Sequence, residues 1–367
     1  MKNVYLFGIV FLIAAGCTDL AQDDTLFLTD QKEDIERAEF DIFFVEKEMK
    51  FYEQKNLQRL ANTSHLKKKK VCDSNIKVPL DYPTIQEAVD NVCQGGNVMV
   101  SSGNYFEIIY IDKPGIKIKA LGKVDLIGGF VLNDQADETT IQHFRINIKN
   151  TYGIFTYKAD KLNIVQNEIY DQSAVFGRNG VILGISNEST IHNNKINYTG
   201  FGITIITDDN NFEMTSHRNN ITNNSINGFL RAGIVLTGNV DYNSIKNNTI
   251  TGSNRYFRVP PYGGIVISGA KNSISYASCD NNEIKNNIVS KVSTGFIMSS
   301  YNSGNEISGN YFLDNYEYGI YANNPLKGEK PNIFKNNRVQ RNKICDIVDE
   351  TGMNVYINNT ADCTTRI

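Results

Sequence analysis

The chain has 367 residues, with 37 Lys plus Arg against 40 Asp plus Glu and a formal net charge of −3. That balance excludes a nucleic-acid binder working through a basic surface. A content of 41% hydrophobic and 21% charged residues excludes a disordered chain. Asparagine is the outlier: there are 47, and 39 of them lie after residue 140.

Residues 1–16, MKNVYLFGIVFLIAAG, hold one lysine, then an apolar run, then small residues, and Cys17 follows. The run is short for a membrane span and has the form of an export signal. Ala14-Ala15-Gly16-Cys17 resembles a bacterial lipobox, in which the cysteine is acylated and becomes the first residue of the mature protein. Gly16 and Cys17 match that pattern; Ala14 stands where leucine is usual. The resemblance implies export, a lipid anchor at Cys17 and a membrane partner in the cell envelope. Thr18-Asp19 leaves retention at the inner membrane open beside outward sorting. Ordinary secretion with cleavage near Ala15 is the alternative.

Cys17 aside, five cysteines remain: Cys72, Cys93, Cys279, Cys345 and Cys363. No CxxC pair exists, and the histidines are His65, His143, His192 and His217. A metal cluster has almost no ligands to draw on, so no metal and no cofactor are expected. In an oxidising compartment disulfides are the better use. Cys72 with Cys93 and Cys345 with Cys363 are the sequence-local pairings, and Cys279 is left as a buried thiol.

Residues 17–30 are polar and read as a tether. Over 31–60, Ile35, Ala38, Ile42, Val45, Met49 and Tyr52 recur at spacings of three and four, one stripe of an amphipathic helix. Phe40, Phe44 and Phe51 widen that stripe. A helix packed on its own domain and a short coiled-coil seam are both open, so an oligomer is possible. Lys67 to Lys70 form a solvated basic linker that closes this 31–70 region, with anionic lipid or glycan binding as the sharper alternative.

From 71 to 96 the chain reads as a capping segment. Thr84 precedes a short helix, with Glu87 three residues on, and Gly95-Gly96 ends it. Strands follow at Asn97–Val100 and Phe106–Ile111. This entrance, with Thr84-Ile85-Gln86-Glu87-Ala88 and then Val98-Met99-Val100 leading to Gly103-Asn104-Tyr105, resembles the start of pectin-lyase-like parallel β-helices.

The remainder repeats. Asn-x-apolar recurs as Asn167/Ile169, Asn194/Ile196, Asn224/Ile226, Asn248/Ile250, Asn286/Ile288, Asn310/Phe312 and Asn337/Val339. Gly-apolar recurs as Gly153-Ile154, Gly180-Val181, Gly202-Ile203, Gly233-Ile234, Gly264-Ile265, Gly295-Phe296 and Gly319-Ile320. Two interleaved signals of nearly equal mean spacing imply one coil per repeat. Each coil buries its apolar face only by stacking on its neighbours. Asparagine suits the corners, because it tolerates left-handed backbone and its amides stack. The predicted fold is an all-β solenoid, a right-handed single-stranded parallel β-helix over 97–367, with roughly nine or ten coils at about 4.8 Å each. The chain is identified as similar to the Asn-rich repeat proteins of the pectin-lyase-like superfamily.

That resemblance implies either an enzyme acting on acidic polysaccharide or a repeat protein without catalysis. The superfamily's catalytic motifs are not matched here. Asp208-Asp209 has no partner histidine, Arg145-Ile146-Asn147 lacks the lysine of an Arg-Ile-Lys element, and there is no Trp. With the coils registered on their glycines, the outward column reads Phe155, Ile182, Thr204, Val235, Val266, Ile297 and Tyr321. It is mostly apolar, so something is expected to cover it, the 31–60 helix first. Two residues before each glycine stand Thr151, Arg178, Gly200, Arg231, Tyr262, Ser293 and Glu317. The longest insertion, 251–262, adds Arg255, Tyr256 and Arg258. Arg178, Arg231, Arg255, Tyr256, Arg258 and Tyr262 are therefore the candidate ligand-binding residues, able to hold an anionic sugar by charge and its ring by stacking. A surface loop packing its aromatics on the coil below, and a simple turn at Asp208-Asp209, are the bland alternatives. The leading expectation is an envelope lipoprotein that binds glycan without catalysis; the rival is a polysaccharide lyase or hydrolase.

Overall fold

The computed structural model of the chain describes residues 45–63, 72–149, 151–171, 178–207, 214–252, 262–271, 276–299, 301–323 and 330–366. Cys17, the tether and the first part of the predicted helix lie outside these residues. So do the lysine run, Asp208-Asp209, Arg255, Tyr256 and Arg258.

Helix α1 (Val45–Thr63) is the described part of the predicted amphipathic helix and runs three residues past its expected end. Helix α2 (Ile85–Asn91) starts at Thr84, whose hydroxyl accepts the Glu87 N–H at 3.1 Å. The next two orphan donors of this helix start, the N–H groups of Ile85 and Gln86, go to the two carboxylate oxygens of Glu107, each at 2.9 Å. Helix α2 ends at Asn91 rather than at Gly95, because Val92 turns extended and opens the strand Val92–Tyr105.

From there the chain winds as a parallel solenoid with three strand faces. In one representative coil, face one is Asn163–Val165, face two Glu168–Tyr170 and face three Val181–Gly184. Each strand pairs in parallel with its counterparts in the coils before and after. The inward positions form three branched-aliphatic columns. Face one supplies Ile164, Ile191, Ile221 and Ile245, face two Ile169, Ile196, Ile226 and Ile250, and face three Ile154, Val181, Ile203, Ile234 and Ile265, all fully buried. The glycine register is as read: Val181 pairs with Ile203, and Ile234 with Ile265. Glycine is required there by close approach. A Cβ on Gly233 would sit 2.4 Å from Ile250 Cγ2 and 2.7 Å from the Gly264 carbonyl oxygen.

The corners divide the two asparagine roles between adjacent residues. Gln166, Asn193, Asn223, Asn247 and Asn286 adopt the left-handed backbone, with φ of 54–58°. The buried asparagine that follows each of them builds the ladder. Asn167, Asn194, Asn224, Asn248, Asn287, Asn310 and Asn337 each pass an Nδ2–H to the next Oδ1 at 2.9–3.1 Å, and Asn359 receives the last of them. This corrects one member of the repeat. Asn287/Val289, not Asn286/Ile288, continues the column, since Val289 pairs with Ile250 while Ile288 is exposed. A second column runs through Asn219, Asn243, Asn282, Asn305, Asn332 and Asn354 at the corner into face one. A short third column joins Asn315 to Asn342.

Cys72 is bonded to Cys93 and Cys345 to Cys363, one bridge near each end of the solenoid. Cys279 is a fully buried free thiol, its pKa pushed well up by burial.

Candidate functional site

Face three carries the outward apolar column, and every member described is buried except Tyr321, which is half-buried. Its cover changes along the axis. At the N-terminal end, Met49 and Tyr52 of α1 pack with Val131, Phe155, Ile182 and Ile206. The Tyr52 ring lies 5.7 Å from that of Phe155, and burial pushes its hydroxyl up to about 12. Ile182, one of the residues the helix is expected to reach, belongs to this same cluster. Val235 and Val266 fall instead in a separate cluster with Phe201, Ala232 and Ile297, which contains no α1 residue. The last turns of α1 are tied to α2 by Arg59 and Asp90.

The edge column beside this face holds three of the six expected ligand residues. Backbone hydrogen bonds stack Arg178, Gly200, Arg231, Tyr262, Ser293, Glu317 and Ile344 in successive coils. The two arginines are engaged by the protein itself. Arg178 Nη1 is 3.6 Å from Oδ1 of Asp171, a fully buried carboxyl group. The Arg231 guanidinium, 9% exposed, lies 5.6 Å from the centre of the Phe201 ring. Tyr262 reaches solvent at 44% exposure.

Beyond Tyr262 the face turns aromatic and acidic. Tyr318 and Tyr321 stack with ring centres 5.5 Å apart and planes at 25°. The Tyr321 hydroxyl donates to Glu350 Oε1 at 2.8 Å. Burial, that carboxylate and the neighbouring Tyr262 push the Tyr321 phenol far up. Burial raises Tyr318 as well, and the Glu317 and Glu350 charges add to it. Among the described residues neither Glu317 nor Glu350 forms an ion pair. Tyr318, Asn323 and Glu350 were not singled out from the sequence. Glu350 is 29 residues from Tyr321, and only the coil register brings the two together.

Two other charged lines are self-satisfied among the described residues. On face one Lys246, Glu283, Lys285, Glu306 and Lys335 alternate in sign at 2.6–3.0 Å. On face two Arg145 bridges Asp125 and Glu168, and Lys195 extends the line. No group of three or more metal-ligating side chains is placed together among the described residues.

Residues 212–366 match the family described as right handed beta helix region. The fold is a right-handed parallel β-helix. No curated protein matches the chain in sequence. Among solved structures, an alginate lyase from Paenibacillus sp. str. FPU-7 is similar, with a TM-score of 0.56 and 17% identity over 77% of this chain and 99% of that one. A double mutant of a periplasmic alginate epimerase follows at TM-score 0.50 and 14% identity, covering 80% of this chain and 70% of the other. At these identities the likeness is one of fold.

Proposed function

We propose that the protein is an exported, lipid-anchored β-helix of the cell envelope that holds a glycan at the tyrosine-lined end of face three without cleaving it. The observation that carries this reading is the stacked pair Tyr318 and Tyr321 beside the exposed Tyr262, mounted on a stacked scaffold. Such rings offer flat apolar faces to the C–H faces of a sugar and phenolic oxygens to its hydroxyls. The anchor is Cys17, on the lipobox resemblance, and the solenoid's two disulfides suit an oxidising compartment. A panel of immobilised polysaccharides tests the reading. Retention on at least one of them, lost in Tyr262→Ala with the melt unchanged, is expected; equal retention of both proteins would refute it. Fatty-acid labelling that persists in Cys17→Ser would refute the anchor.

A second reading, a lyase or hydrolase acting on acidic polysaccharide, draws on one arrangement. Arg178, Arg231 and Tyr262 share an edge column, and a lyase needs a cation at the sugar carboxylate and a base beside it. The engagement of both arginines by Asp171 and Phe201 weighs against it. Unsaturated products or new reducing ends from any uronate polymer, abolished by Tyr262→Ala, would establish it.

A further inference from the structure

Among the described residues the charge at the tyrosine shelf has the wrong sign for an acidic polymer. The two fixed charges acting on Tyr318 are those of Glu317 and Glu350, and neither is neutralised by a lysine or arginine among the described residues. The nearest arginine of the edge column, Arg231, lies three coils before Glu317 and is turned onto Phe201. Among the described residues the remaining carboxylate capacity is unused. Glu350 accepts one hydrogen bond, from the Tyr321 hydroxyl, where an ionised carboxylate has about four acceptor sites.

We propose that this shelf recognises a glycan carrying free amino groups, with a sugar ring laid on Tyr318 and Tyr321 and its ammonium set between Glu317 and Glu350. The inference rests on the glycan-binding reading above and specifies the class of sugar. Three interactions converge on one ammonium there. A charge-assisted hydrogen bond forms to either carboxylate, a cation–π attraction to the tyrosine faces, and the mutual repulsion of the two glutamates is relieved. A uronate in the same place would meet two like charges. The tyrosines explain why a sugar fits better than a basic peptide. Two stacked rings present one broad flat face, matched by a pyranose ring and not by a flexible lysine side chain.

The test uses the full chain and four probes in titration calorimetry: a glucosamine hexamer, its fully N-acetylated counterpart, an oligouronate and a lysine hexamer. The first two share a ring and differ in charge. The proposal expects the glucosamine hexamer to bind about tenfold more tightly than the other three. Glu317→Gln with Glu350→Gln is expected to remove that preference while the melt holds, since glutamine still accepts from the Tyr321 hydroxyl. Equal or tighter binding of the acetylated hexamer or the oligouronate, lost in Tyr262→Ala, would overturn the amino-sugar assignment and leave glycan binding standing. Equal binding of the lysine hexamer would reduce the shelf to an unspecific anionic patch and overturn it too. An unchanged preference in the double variant would show that these carboxylates are not the reader. Binding of none of the three sugars would sink both this inference and the reading on which it rests.

Discussion

Arg59 of α1 and Asp90 of α2 face each other with two hydrogen bonds, Nη1 to Oδ2 at 2.6 Å and Nη2 to Oδ1 at 3.1 Å. The pair is the polar end of the helix dock, and Tyr52 is its apolar end. Both side chains are 22% exposed, so solvent screens the charge in part. Arg59→Ala is expected to weaken the dock by about 1 kcal/mol, less at high salt. Tyr52→Ala removes a buried ring and is expected to cost about 3 kcal/mol of local docking energy. Hydrogen exchange separates the dock from the solenoid. Amides of 45–63 should lose protection while those of the central coils keep theirs; equal loss throughout would show one cooperative unit.

The two asparagines of one corner make opposite predictions. Asn248 donates to the Ile221 carbonyl oxygen at 2.9 Å and to Asn287 Oδ1 at 3.0 Å, and accepts from both the backbone and the side chain of Asn224. Asn248→Ala leaves these buried partners unpaired and is expected to cost about 3–5 kcal/mol in a urea melt. Asn247, next to it, is required only for its φ of 58°. Asn247→Gly should be within about 0.5 kcal/mol of wild type. Equal effects at both positions would mean that the corner's backbone, and not the amide column, holds the coils together.

Asp241 gives a pH signature. Burial raises its pKa to about 6, helped by the Asp280 charge and opposed by the Asp280 N–H it accepts at 2.6 Å. A raised carboxyl pKa means that the folded state binds a proton the unfolded state has released. Stability from this group is therefore present below the unfolded value near 3.8 and lost as pH rises through about 6. Asp241→Asn should be nearly neutral at pH 4 and more stable than wild type by about 2 kcal/mol at pH 7. Asparagine fits the site, because Asn187 accepts the His217 N–H from the matching corner position of an earlier coil. A variant less stable than wild type at both pH values would contradict this account.

Ile265 and Val266 test the two sides of one strand. Ile265→Ala is expected to cost about 2–5 kcal/mol in the core column. Val266 is 8% exposed and packs with Val235 and Ile297, so Val266→Ala should cost about 1–2 kcal/mol rather than nothing. A neutral Ile265→Ala would mean that the strand is registered wrongly.

The solenoid was legible because its period is written twice, in Gly-apolar and in Asn-x-apolar, and each has a steric or hydrogen-bonding cause. The slip at Asn286 has a cause as well. Asn286-Asn287 offers two asparagines, and the choice between them depends on which neighbour is buried, Ile288 or Val289. The helix stripe through Met49 and Tyr52 identified the buried face of α1, and the apolar column of face three identified what that face could cover. The dock of the helix's last turns on α2 depends on Arg59 meeting Asp90, 31 residues away, and no local pattern encodes that. The tyrosine shelf was half legible. Tyr262, Glu317 and Tyr321 stand in columns defined by the glycines, whereas Tyr318 and Glu350 acquire meaning only when the last coils are set side by side.

The amide columns also have a direction. From Asn194 to Asn337 each asparagine of the long column accepts from the coil before it and sends one Nδ2–H on to the next Oδ1 toward the C-terminal end, while the other Nδ2–H holds a carbonyl oxygen of the earlier coil. Side-chain dipoles aligned in this way add, as peptide dipoles do in a helix, and leave the C-terminal end relatively positive. Two of the three columns finish there on an aspartate. Asn354 Nδ2 donates to Asp349 Oδ2 at 3.2 Å, and Asn342 Nδ2 to Asp346 Oδ1 at 2.7 Å. A carboxylate accepts and has no hydrogen to hand on, so it terminates a chain of donors without leaving a loose end. The rod is thus electrically polarised along its axis, and two nearly inaccessible acidic side chains sit where that polarity favours them.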